Sequence, residues 1–299
     1  MLNLSRATIN RMEVIGEVAS INLEQKLSRT GKQMIMGNID VQVIKDNKIN
    51  VVELKVLAMA GNKIYTAIET VMREYKSIQI NGEGDKIRIQ GGIELNEYMG
   101  SDGTMKSMNV CNARFFHRLS EEEYANLGGD KAMVTFGGIY MGHKEVLDKE
   151  GLPTGEYEIS VFGRGYNGTS KENDKINCPK SLKMSAELFE IFENEFEVGE
   201  NVTLNIEINR GVVVSDEVVK GFGNKPQNKT YHVWDYQIVG GTSQGMCDDE
   251  DIEKIKMLRR QQLADISGDG MSSEGKGFGS KPQPTPAPMN DSLNDDLPF

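Results

Sequence analysis

Apolar residues gather from Met12 onward in short β-rich runs, first over Val14 to Ile21, then over Met34 to Val43 and Val51 to Leu57, with polar positions interleaved most regularly in the third. The turn-forming run Lys45-Asp46-Asn47-Lys48 separates the second stretch from the third. Within the third, Val52, Leu54 and Val56 fall on one face and Glu53, Lys55 and Leu57 on the other, so one side is core and the other is available. The period then changes. From Lys63 to Lys76, Ile64, Ile68, Val71, Met72 and Tyr75 recur at helical spacing and predict an amphipathic helix. Alternation returns at Lys86 to Gln90, Ser101-Asp102-Gly103-Thr104 reads as a turn, and Met108 to Phe116 reads as a further strand.

Three strands, a helix and two strands is the order of the OB-fold, a five-stranded Greek-key barrel that commonly takes oligonucleotides on its strand 2–3 face and in its loops. The second half suggests the same plan. Val52 to Asn62 aligns with Tyr157 to Asn167, and Gly37-Asn38-Ile39 with Gly137-Gly138-Ile139. A helix is expected over Ser185 to Phe196, with Ser185 as N-cap and Leu188, Ile191, Phe192 and Phe196 inward. Val198 to Ile206 and Thr230 to Ile238 supply closing strands, while Met133 to Met141 fits either strand 1 or strand 2. The expected architecture is mainly β. A first OB-fold domain spans residues 1–122, a second 123–245, a C-terminal helix 246–266, and a disordered Gly/Pro-rich linker with an acidic tip 267–299. The C-terminal helix starts on Asp248 to Asp251, where the helix dipole favours anions, and suits either packing on a barrel or pairing between subunits.

Charge narrows the function. The chain of 299 residues carries 45 acidic and 34 basic side chains, a net charge of -11, which excludes a generally basic nucleic-acid coat and confines any such surface to a local patch. Cys111, Cys178 and Cys247 are odd in number and far apart, so neither a disulfide framework nor a CxxC metal site is expected. No apolar run has the length of a membrane span and the first residues show no leader pattern, so a cytoplasmic protein is expected.

Candidate chemistry is that of contact rather than catalysis. With Ile159 and Val161 inward, Phe162 and Arg164 emerge on the opposite face of what reads as the second domain's third strand, where a ring beside a guanidinium can stack a base; Tyr166 follows on the next turn. Lys32, Lys55 and Arg88 are the corresponding cations of the first domain. The peptide Lys220-Gly-Phe-Gly-Asn-Lys-Pro-Gln227, in the loop between the last two strands, recurs almost unchanged at Lys276 to Gln283. Its Lys220, Phe222 and Lys225 form a flexible element able to stack a base and meet phosphates, and the tail copy would visit the same surface. Trp234 and Tyr236 read as core. Gly163 to Gly168 satisfies GxGxxG but lacks the following helix, and Gly270 to Lys276 mimics a phosphate loop without its Ser or Thr. His117, His143 and His232 have no ligand-like spacing, so no metal, cofactor or catalytic centre is expected.

Gly84 to Glu94, Asp102-Gly103 and Asn109 to Ala113 resemble strand 4, turn and strand 5 of the bacterial and bacteriophage single-stranded-DNA-binding (SSB) proteins, within a looser likeness over residues 12–118. The final Asp295-Asp296-Leu297-Pro298-Phe299 is similar to the acidic Pro-Phe tip of that family. The resemblance implies a non-enzymatic, sequence-independent coat for single-stranded DNA in replication, recombination and repair. It also implies a tip that recruits replication and repair proteins and, by analogy with two-barrel members, a homodimer. Two other classes compatible with the fold are a structural assembly protein and an OB-fold nuclease.

Overall fold

In the computed structural model, residues 9–46, 48–165, 175–219 and 227–267 are described. The first half contains β1 (Asn10–Leu27), β2 (Gln33–Lys45), β3 (Lys48–Met59), α1 (Lys63–Glu74), α2 (Ile78–Asn81), β4 (Lys86–Met99) and β5 (Met105–Arg118). α3 (Glu121–Asn126) leads to the second half, which holds β6 (Lys131–Leu147), β7 (Pro153–Gly165), β8 (Lys175–Asn177) and β9 (Leu182–Ser185). α4 (Ala186–Glu195), β10 (Glu200–Val219), β11 (Gln227–Met246) and α5 (Asp249–Ser267) complete it.

The strand pairings close a barrel. β1 pairs with β2 and β4, β2 with β3, β4 with β5, and β3 meets β5 in parallel at Lys55 and Asn112, giving the ring 1-2-3-5-4 of an OB-fold. The inward stripe Val52, Leu54, Val56 and Ala58 is buried while Lys55 and Leu57 are exposed, as the alternation requires. α1 buries Tyr65, Ile68 and Val71 against this core, and its first turn is held by the Asn62 side chain accepting from the Ile64 N–H at 3.2 Å.

A second ring repeats the topology one strand earlier than the sequence alignment places it. β6 pairs with β7 and β10, β7 with β9, β10 with β11, and β9 meets β11 in parallel. β6, which contains Met133 to Met141, is therefore strand 1, and β7, with Ile159 and Val161 buried, is strand 2 rather than strand 3. Strand 3 is the four-residue β9. α4 follows it with Ser185 as N-cap, but the helix buries Phe189 and Phe192 and leaves Ile191 exposed. Phe189 stacks on Tyr157 of β7 with centroids 3.9 Å apart, which draws that side of the helix inward.

The two rings share a seam. β1 and β6 pair antiparallel with Met12 opposite Val134, flanked symmetrically by Asn10 with Phe136 and Val14 with Ala132. Equivalent strand-1 segments therefore meet about a local twofold, and one apolar cluster runs from Met12 and Val14 through Phe136 into Leu204 and Ile206. Just past the seam each strand 1 crosses its own strand 2 at a glycine. A Cβ on Gly16 would lie 2.2 Å from the Gln42 carbonyl oxygen, and one on Gly138 would lie 2.6 Å from that of Phe162.

Candidate nucleic-acid interface

Cross-strand register places an ordered set of side chains on the outer face of β1, β2, β3 and β5. Asn22, Asn38, Lys55 and Asn112 form one row across the four strands. On one side of it lie Met34 opposite Met59 and Met36 opposite Leu57; on the other, Asp40 opposite Glu53. Amides and an ammonium can hydrogen-bond and neutralise a phosphate chain, and the Met and Leu side chains offer apolar area to base faces. The turn carrying Arg29 and Lys32 abuts the start of α1 at Lys63, because the Ala60 N–H donates to the Gln33 carbonyl at 2.8 Å. Among the described residues, Arg29, Lys32, Lys55 and Lys63 have no ion-pair partner.

Most other cations are neutralised. Arg88, expected as a contact residue, is joined to Glu13 at 2.5 Å, and Lys131 reaches the other oxygen of the same carboxylate at 2.9 Å. Burial pushes the Glu13 carboxyl up, but the hydrogen bonds and charges of Lys131 and Arg88 hold it below the usual range. Lys86 pairs with Glu17 at 3.2 Å, Arg118 with Asp85 at 3.3 Å and Arg114 with Glu94 at 3.3 Å. The outer face of β4, β1 and β6 is thus largely a compensated lattice, Arg11 apart, whereas Arg29, Lys32, Lys55 and Lys63 gather without ion-pair partners around β2 and β3.

In the second barrel Phe162 and Arg164 lie on β7, on the side away from Ile159 and Val161, but that side is not open. Phe162 is half-buried with Ile139, Met141 and Ile176 beneath α5, which contributes Ile252, Ile255 and Leu258. Arg164 is half-buried and engaged in a contact of its own. An outward ring on β7 meets an apolar stripe from far along the chain, and burial of both outweighs leaving the ring in water. Gln262 of α5 also satisfies the backbone of β8: the Ile176 N–H donates to its amide oxygen at 3.1 Å, and its amide nitrogen donates to the Ile176 carbonyl at 3.4 Å.

A buried ion pair holds α5 from the opposite side. Arg259 donates through both terminal nitrogens to the two oxygens of Glu97 on β4, at 2.5 and 2.6 Å, with side-chain exposures of 11% and 6%. Burial raises the Glu97 carboxyl, but the Arg259 hydrogen bond and charge, with Lys180 at 3.7 Å, bring it below the usual range. Sequence reasoning had no sign of this contact, since Glu97 belongs to the first barrel. Between α5, β7, the tip of the β4–β5 hairpin and the turn after β8 lies a cavity of about 240 Å³. Its floor includes Phe162, Met141, Met105 and Leu263, and its rim carries Lys144, Lys180, Lys256 and Arg260.

Tyr236, expected as core, is buried, and Trp234 is half-buried against the same core beneath the Arg210 guanidinium, 4.7 Å from the ring centroid. Tyr166, Lys220, Phe222, Lys225, both copies of the repeated peptide and the tip Asp295 to Phe299 lie outside the described residues, apart from Gln227 at the start of β11. No group of three metal-ligating side chains occurs among the described residues, and no described helix is long and apolar enough to cross a membrane.

A family model described as YorF matches residues 8–269. The chain belongs to the YorF family. No curated relative matches this YorF chain in sequence. Among solved structures it is similar to the wild-type single-stranded DNA binding protein of Thermus aquaticus, at 12% identity and a TM-score of 0.46, over 80% of the YorF chain and 95% of that one. It is also similar to the mitochondrial single-stranded DNA binding protein Rim1 of S. cerevisiae, at 11% identity and a TM-score of 0.27, over 38% of the YorF chain and 96% of Rim1. An SSB of Plasmodium falciparum, described in complex with ssDNA, is similar at 12% identity and a TM-score of 0.27 over 38% and 96% of the two chains.

Proposed function

We propose that this YorF chain is a non-enzymatic protein that binds single-stranded DNA without sequence preference, using the outer face of β1, β2, β3 and β5 as its primary surface. The carrying observation is the row Asn22, Asn38, Lys55 and Asn112 beside an apolar Met and Leu band, with Arg29, Lys32 and Lys63 unpaired at its end. In a chain of net charge -11 whose other cations are mostly matched to carboxylates, uncompensated charge gathered on the ligand face of an OB barrel favours a polyanion. The likeness of Gly84 to Glu94 and Asn109 to Ala113 to the SSB hairpin points the same way. Residues 1–122 and 123–245 act as the two binding units, the tip Asp295 to Phe299 recruits replication and repair proteins in the cytoplasm, and two chains assemble as a homodimer.

The test is a fluorescence titration of the full chain with poly-dT at two salt concentrations, repeated with Lys55→Glu and Lys32→Glu. Saturable binding weakened by salt, with the slope of log affinity against log salt falling by about 0.7 for each phosphate contact removed, supports the reading. Absence of binding at low salt refutes it. Loss of strand integrity on adding magnesium assigns the chain to the nucleases instead.

A further inference from the structure

The cavity beneath α5 brings together elements that lie far apart along the chain. In an OB barrel, the ligand face centres on strands 2 and 3 and extends to the strand 4–5 loop. Here the strand 4–5 hairpin of the first barrel, through Met105, and strand 2 of the second barrel, through Phe162, line the same cavity. α5 closes the third side with Leu263, Lys256 and Arg260.

The lining has two chemistries in register with a nucleotide. The floor is apolar and carries one aromatic ring, Phe162. Above it stand Lys144, Lys180, Lys256 and Arg260, with Glu158 as the one carboxylate in the lining. Lys144 is paired with that Glu158 at 3.1 Å, Lys180 shares Glu97 with Arg259, and Lys256 is joined to Glu253 at 2.9 Å. Arg260 is exposed and has no ion-pair partner among the described residues. Even with Glu97 and Glu253 counted, cations exceed carboxylates around the cavity, in a chain whose total charge is -11. A volume of about 240 Å³ is on the scale of one base with part of its sugar.

We propose that this cavity receives a single nucleotide of the bound strand, its base against Phe162 and its phosphates on Lys144, Lys180, Lys256 and Arg260, so that α5 is a wall of the binding site. The proposal rests on the single-stranded-DNA reading above. It gives the second barrel a one-nucleotide slot in place of the open stacking face of an uncovered OB barrel.

The experiment compares the full chain with Arg260→Glu, Lys256→Glu and Phe162→Leu, using dT oligonucleotides of increasing length. Affinity and occluded length per chain are measured by titration, and Lys55→Glu reports on the first barrel. Both charge reversals lie on the rim of α5; Phe162→Leu keeps an apolar side chain under it, and hydrogen exchange of α5 checks that the helix stays docked. Expected are unchanged binding of the shortest oligonucleotides, a shorter occluded length, and affinity for long oligonucleotides lower by about tenfold in each variant. Unchanged occluded length and affinity in the rim variants, with Lys55→Glu still impaired, overturns the slot and leaves the function standing. A rise in affinity on charge reversal also overturns it, because α5 would then be a cover that DNA must displace. No binding by the wild-type chain refutes both readings.

Discussion

Replacing Arg259 with Met removes the charge that pins α5 to the first barrel while keeping much of the apolar stem. Glu97 would then be left with 6% of its side chain exposed and only Lys180, 3.7 Å away, as counter-charge. Breaking one partner out of a buried pair typically costs about 3–5 kcal/mol, and the remaining lysine argues for the lower end, about 3 kcal/mol. The loss should be local. Ile255 and Gln262 still hold α5 to the second barrel, so the helix opens more often without unfolding the strand rings. Hydrogen exchange of the α5 amides should speed by roughly a hundredfold, the rate equivalent of about 3 kcal/mol, with the β1 and β6 amides unaffected. The penalty also has a pH signature. Glu97 titrates below its ordinary value in the folded chain, so the stabilisation is complete above that ordinary value and is lost as pH falls through the depressed one. Wild type and variant should therefore converge in acid and differ most near neutrality. A double replacement, Glu97→Leu with Arg259→Met, should restore most of the protection. If Arg259→Met alters α5 exchange by less than about fivefold at neutral pH, the pair behaves as a surface salt bridge and the reasoning fails.

Gly16→Val and Gly138→Val each force a side chain onto a backbone carbonyl where strand 1 crosses strand 2, so each should lower stability by about 3 kcal/mol or more in urea melts; a neutral outcome would mean the crossings are not close. Cysteine labelling should be ordered. Burial pushes the Cys111 thiol up to about 12 and that of Cys178 to about 11, so iodoacetamide at mildly alkaline pH should reach the half-exposed Cys247 first; prior labelling of Cys178 would contradict the docked position of α5.

Local patterning carried the first barrel. Its strands are long, its turns short, and its helix announces itself by a change of period, so Val52, Leu54 and Val56 were placed correctly from alternation alone. The second barrel was displaced by one strand because its strand 3, Leu182–Ser185, has only four residues and no alternation long enough to read, while the long β7 looks more like β3 than like β2. Lys55 was legible as outward-facing because that depends on its neighbours in sequence. The pairing of Arg88 with Glu13, 75 residues away, and of Arg259 with Glu97, 162 residues away, depends on the closed rings and has no local trace. For the same reason Phe162 could be read as outward from β7, and the C-terminal helix as packing on a barrel or between subunits, while the contact between the two could not.

The β1–β6 seam fixes more than the shape of the chain. Six residue pairs lock the strand-1 edges of the barrels together, and a shared core runs beneath them. The two faces proposed to bind, joined this way, have a set separation and orientation before any ligand arrives. A strand that engages both spends no free energy on ordering one barrel relative to the other, and the second engagement proceeds at an effective concentration determined by geometry. The same rigidity selects among ligands. On the proposed function, a strand too short to bridge the set distance would gain nothing from the second barrel, and affinity should depend on length as well as charge.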